Sequence, residues 1–218
     1  MLPRYWSRLA LTALSLAVAA GVAAQAPKVR NHFDSDTPMR PPGYFDFAVL
    51  GAPTDANWKV LADYNPPSAP NQVTQTELKR PAASIAAALR RNVLIRDGRL
   101  SVGLRKGSGQ GGLVLRMAGE KEFLLLLVNL ETGDARLASY AGGEPTELAR
   151  GRAPLDRAWN VLSVAAAGPR IVAQWDGRPL LEGKDPRPAS GRVGLATAGA
   201  GAVAFDEFVI EPAEAPTP

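Results

Sequence analysis

The sequence predicts an all-β domain of many short antiparallel strands, folded as a sandwich or a barrel. Three observations carry this expectation. Arg99–Arg105 alternates cleanly, with Leu100, Val102 and Leu104 on one face and Arg99, Ser101 and Arg105 on the other, the period of a half-buried strand. Glu122–Leu130 is apolar on both faces, as a central strand of a covered sheet must be. Between such segments stand turns: Lys106–Gly112, Thr132-Gly133, Ala141–Gly143, Gly168-Pro169 and the tight pair Asp176-Gly177.

The elements follow in order. Arg4 and Arg8 flank the start of an apolar run, Leu9–Ala20, and small residues including Val22 and Ala24 come after it. That order is a secretory signal, cleaved after Ala24. The run is short for a membrane span, so residues 1–24 are read as signal, with no span left after cleavage and a periplasmic or secreted product. Residues 25–43, with Pro38, Pro41 and Pro42, form an N-terminal arm. Residues 44–211 form the sandwich, and 212–218 a disordered tail. Strands are expected at Tyr44–Leu50, Trp58–Ala62, Gln72–Leu78, Arg99–Arg105, Leu113–Met117, Glu122–Leu130 and Ala135–Tyr140. The second half adds Trp159–Ala165, Arg170–Trp175, Pro179–Leu181, Arg192–Thr197 and Ala202–Ile210. Pro81–Arg91 stands apart. Its alanines and leading proline favour a short helix, with a strand imposed by tertiary context as the alternative.

Composition excludes several functions. Lys and Arg number 25 against 21 Asp and Glu, a net charge of +4; loss of Arg4 and Arg8 with the signal leaves +2. No basic block occurs, and Arg90-Arg91 is a pair without interleaved aromatics, so no nucleic-acid partner is expected. With no cysteine, disulfides, thiol nucleophiles, zinc-thiolate and iron–sulfur sites are all excluded, and the core alone must hold the domain. His32 is the one histidine. It lies in a loop-like stretch, a poor position for a triad or a histidine zinc site. Gly107–Gly112 lacks the Lys-Ser/Thr of a phosphate loop and opens no helix, so it reads as a hairpin loop.

Three marks in order carry a resemblance: Gly111-Gly-Leu-Val-Leu-Arg116, Arg157-Ala-Trp-Asn-Val-Leu162, and Gly191-Arg-Val-Gly-Leu195 leading to Phe205-Asp-Glu-Phe208, with Trp175-Asp-Gly-Arg-Pro-Leu180 before the last. Over roughly residues 44–211 the chain resembles the concanavalin A-like lectin/glucanase superfamily. Within it, the chain is similar to the 3-keto-disaccharide hydrolase, or family 16 glycoside hydrolase-like, domain. The resemblance implies two curved antiparallel sheets in a jelly roll, a concave sheet used for glycans, and a glycan or sugar derivative as ligand. The chain also departs from that pattern. Leu127 stands where relatives carry an arginine, Asn160 where they carry a histidine, and Ala198–Ala202 where they carry Lys-x-Asp-Ser. Of the polar side of such a site, Arg116, Asn129 and Gln75 remain.

The residues offer little catalytic machinery. A glycosidase needs two carboxyl groups facing one cleft, and alternate spacing on one strand would supply them. Asp206 and Glu207 are adjacent and face opposite sides, while Glu120 and Glu122 flank a turn. No catalytic residue is assigned and no cofactor is required. In related sandwiches an acid near the last strand can help hold a structural calcium through carboxylate and carbonyl oxygens, which makes Asp206 the metal candidate; the competing role is to cap a turn or pair with an arginine. Trp58, Trp159 and Trp175 are core candidates, with Trp58 the better placed of them to meet a sugar ring. Arg116, read as sharing a face with Val114, is either a ligand contact or a buried ion-pair member, and Asn129 on the next strand would join it. Three functions follow. A groove bearing Arg116, Asn129 and an exposed tryptophan suits a non-catalytic glycan-binding module. Converging acids suit a hydrolase or lyase on a sugar derivative. A groove filled by Leu and Val suits a structural or protein-interaction sandwich.

Overall fold

Alternation decides where the core lies. In the computed structural model, which describes residues 28–213 apart from residue 64, fifteen strands form two antiparallel sheets. They are β1 (Val29–Asn31), β2 (Phe45–Gly51), β3 (Trp58–Ala62), β4 (Asn71–Gln75), β5 (Ser84–Ile95), β6 (Gly98–Arg105), β7 (Gln110–Gly119) and β8 (Glu122–Asn129). Then come β9 (Asp134–Ala141), β10 (Glu144–Arg152), β11 (Trp159–Ala167), β12 (Arg170–Trp175), β13 (Arg178–Lys184), β14 (Gly191–Ala198) and β15 (Val203–Pro212). The front sheet runs β13-β12-β11-β6-β15-β4-β3, with β1 added on β15; the back sheet runs β10-β9-β8-β7-β14-β5-β2. Leu100, Val102 and Leu104 of β6 meet Leu124, Leu126 and Val128 of β8 in one core between the sheets, with Trp175, Phe205 and Phe208. The all-β sandwich expected from the sequence is the fold observed.

The outward face of the back sheet is apolar too. Leu50, Ile85, Ala87, Leu89, Val114, Leu125, Leu127 and Ala196 form a second buried cluster there. This explains the run Phe123–Val128, whose leucines serve both layers. Gly112 lies within this sheet because a Cβ there would stand 1.9 Å from the Leu126 carbonyl oxygen.

Pro81–Arg91 is not a helix. β5 begins at Ser84 and pairs with β14 on one side and β2 on the other, Ala87 facing both Ala196 and Ala48. Ala86 and Ala88 enter the core while Ala87 enters the second cluster. Three alanines fit where apolar layers press on both faces, and this packing outweighs their helix propensity. Two strands had no alternation to reveal them. β10 is an edge strand of mostly exposed residues. β1 lies in the stretch read as an arm, pairing Val29 with Ile210, and Asn71 ties that stretch down by donating to the Phe33, Asp34 and Asp36 carbonyls. The signal reading and most of the tail fall outside the described residues; no helix among those described is long and apolar enough to cross a membrane.

Candidate functional site

The five residues singled out in the sequence do not form one site, although Trp58 and Gln75 are cross-strand neighbours. Arg116 follows a β-bulge: pairing of β7 with β8 shifts between Leu115 and Gly119, and Arg116 takes φ 50°. Leu115 points into the core while Val114 and Met117 point to the opposite layer. The extra residue therefore puts Arg116 on the side of Leu115, correcting the face expected from unbroken alternation. Its guanidinium donates to Asp185 at 2.6 Å, Asp97 at 3.1 Å, the Gly168 carbonyl at 2.7 Å and the Arg96 carbonyl at 2.8 Å. With its side chain 3% exposed, Arg116 is a buried ion-pair member that clasps three turns. The hollow beside it, with Phe123, Tyr140 and Arg187, holds about 100 Å³, well below the roughly 300–1,000 Å³ of ligand sites.

Asn129 stands at the far end of the β7–β8 ladder, opposite Gln110. Its Oδ1 accepts the Glu131 and Thr132 amide hydrogens and so shapes the turn into β9. Gln75 is fully buried, its amide donating to the Glu77 carbonyl and accepting the Glu77 N–H. Trp58 pairs with Gln75 in register and is 2% exposed, its ring against Phe205 at 5.7 Å and Phe47 at 6.4 Å. Asp206 accepts the Ser68 N–H and the Glu207 N–H, both at 2.7 Å, and the Ser68 hydroxyl. Burial pushes its carboxyl up to about 6, against the lowering pull of those hydrogen bonds. Among the described residues no group of three or more His, Asp or Glu side chains is placed to share a metal ion.

A larger hollow lies instead on the outward face of the front sheet, where about 620 Å³ is framed by β6, β11, β15 and the 65–67 loop. Its floor follows from alternation: with Leu104 and Leu162 turned inward, Ser101, Gly103, Trp159 and Val161 turn outward. Gly103 lies beneath the indole and Pro67: a Cβ there would make ordinary contacts with Trp159 Cε3 at 3.6 Å and Pro67 Cγ at 3.4 Å, and its tight approach, 3.2 Å, would be to the Asp206 carbonyl oxygen. Val161 beside it is 47% exposed. The result is an apolar platform of Trp159 and Val161 with a polar rim. A second bulge, in β15 between Asp206 and Val209, gives Glu207 φ 51° and brings it to this hollow. Arg30 holds Glu207 at 2.9 Å and His32 holds it at 2.7 Å. Asp176, in the β12–β13 turn, accepts the Val161 N–H at 2.7 Å. Asp206 fixes Ser68, next to the Pro66-Pro67 wall. A neighbouring hollow of about 390 Å³ shares Arg30 and is framed by His32, Asp34, Asp36 and Tyr44. Its frame is mainly loop, a less rigid setting than a sheet face.

Trp159, a core candidate in the sequence, lies on the outward face of β11 with Val161, while Trp58, the candidate for a sugar ring, is buried. Which face of β11 is covered depends on β6 and β15, strands distant in sequence. Glu207 was visible as adjacent to Asp206; the bulge that aims it was not.

No family model and no curated protein sequence matches the chain. Solved structures do. The carbohydrate-binding module CBM66 from Bacillus subtilis aligns over 71% of this chain and 94% of its own, at 18% identity and TM-score 0.54. A protein of unknown function with a galectin-like fold, also from Bacillus subtilis, aligns over 86% and 96%, at 12% identity and TM-score 0.57. The exoplasmic/lumenal domain of VIP36, in its Ca²⁺- and mannose-bound form, aligns over 86% and 90%, at 15% identity and TM-score 0.57. At such identities the likeness defines the fold alone: a two-sheet antiparallel sandwich of the concanavalin A-like, galectin-like kind. None of these three is described as a 3-keto-disaccharide hydrolase.

Proposed function

We propose that the protein is an exported, non-catalytic module that binds a glycan or sugar derivative in the periplasm or outside the cell, and that the ligand lies on the outward face of the front sheet. The supporting observation is the half-buried Trp159, seated over Gly103 beside Val161, with Asp176, Glu207, Arg157 and Ser101 around it. An indole face takes the C–H side of a sugar ring, and the polar rim takes its hydroxyls. The outward side chains of the back sheet form a mainly aliphatic, buried cluster, and its aromatic pair, Phe123 stacked on Tyr140, borders a hollow of only about 100 Å³. That same apolar face favours a second reading, the protein-interaction sandwich. A glycan array with the purified protein, run with and without calcium, separates the two. Binding that falls about tenfold or more in Trp159→Ala supports the glycan module and its location. Folded protein that binds no glycan leaves the interaction reading. Because Asp176 and Glu207 share the hollow, the same incubations should be assayed for sugar release, which would instead support a hydrolase or lyase.

A further inference from the structure

Resting on the glycan reading of the front-sheet hollow, we infer that its ligand is an anionic sugar, one bearing a carboxylate or sulfate, and that Arg157 is the residue that selects it. The charges around the hollow divide unequally. Both Glu207 oxygens are engaged, one by Arg30 and the other by His32. Asp176 already accepts the Val161 N–H. Arg157 lines the same hollow two residues before Trp159. Its backbone carbonyl accepts from Asn160 Nδ2 at 3.3 Å, while its guanidinium has no hydrogen-bond or ion-pair partner among the described residues.

The acids of the rim are thus partly or wholly committed to the protein, as is Arg105 opposite Trp159, which pairs with Asp63, whereas Arg157 on the same rim is not. A sugar stacked on Trp159 and carrying an anionic group at the ring edge would meet a planar, bidentate donor, a geometry that suits carboxylate and sulfate oxygens. A neutral sugar would gain the stacking and the hydroxyl hydrogen bonds but not this charge-assisted pair.

The test compares three oligosaccharides of one length by titration calorimetry: an oligogalacturonate, its carboxyl-reduced neutral counterpart, and a sulfated neutral oligomer. The expected result is binding of one or both anionic oligomers roughly tenfold or more tighter than the neutral one, weakening as salt rises. The uronate and sulfate arms then distinguish the two sources of charge. In Arg157→Gln, an exposed position whose replacement leaves the core untouched, the preference collapses to the neutral affinity. Equal or tighter binding of the neutral oligomer, or a preference that survives Arg157→Gln, overturns the anionic assignment while the glycan reading stands. Absence of binding in all three arms and on the array overturns both.

Discussion

Arg116 illustrates how one residue's role turns on its exact register. On a regular strand it would share the face of Val114; after the bulge it reaches Asp97, Asp185 and two carbonyls at one end of the sandwich. Removing it strands Asp185, whose side chain is 4% exposed, without its cation. Loss of one partner from a buried pair costs about 3–5 kcal/mol. Arg116→Ala should therefore lower the unfolding free energy by that amount in urea melts, with a lower midpoint, whereas a ligand-contact role would lower affinity and leave stability nearly unchanged. Trp159 is the converse case. A residue that reads as core from its own neighbours is half open because it lies on the outward face of β11, against Pro67 and Gly103.

At the scale of the element, β5 is the instructive strand. In an exposed helix, Ala87→Leu would be nearly neutral, since both residues are good helix formers. On β5, with Ala87 fully buried between Ala48 and Ala196, the added bulk should cost about 1–3 kcal/mol, seen as a lowered midpoint in thermal or denaturant melts. Most strands could be read from the sequence because β6, β8, β12 and β14 carry their burial in their own alternation or apolarity. The strands that could not be read are those whose burial is imposed from elsewhere or never arises. β5 is held by both neighbours, β10 is a mostly exposed edge, and β1 is only three residues long. The bulges were invisible for the same reason. Nothing local in Leu115-Arg116 or Asp206-Glu207 announces an extra residue; the pairing partner defines it. The fold was therefore legible from strand patterns and turn chemistry, while the site was not, since both features that shape it, the Glu207 bulge and the outward face of β11 beside β6, depend on contacts between strands far apart in the chain.

Taken whole, the molecule is stitched by pairings across its length. β15 lies against β1 and β4, and β14 against β5. Such non-local ladders must close large loops before they gain contacts. Refolding from urea should accordingly take milliseconds to seconds rather than microseconds, measurable by stopped-flow tryptophan fluorescence with buried Trp58 and Trp175 as reporters. The two outward faces also divide the labour. One is a second apolar layer, and the other carries the aromatic floor and charged rim, so a ligand on the front sheet leaves the back sheet undisturbed.

The Asp206–Ser68 tie links that ligand to the proton. The carboxyl is pushed up to about 6 by burial, and the amides of Ser68 and Glu207 favour its ionised form. A ligand that draws the 65–67 wall closer strengthens those bonds and lowers the carboxyl's affinity for its proton. By reciprocity, ionisation must then strengthen ligand binding. Affinity should rise as pH increases through about 6, the value to which burial raises Asp206, and calorimetry in buffers of different ionisation enthalpy should detect a fraction of a proton released per ligand bound. The occupancy of a sugar site on one face of the sandwich would thus report the acidity of its surroundings.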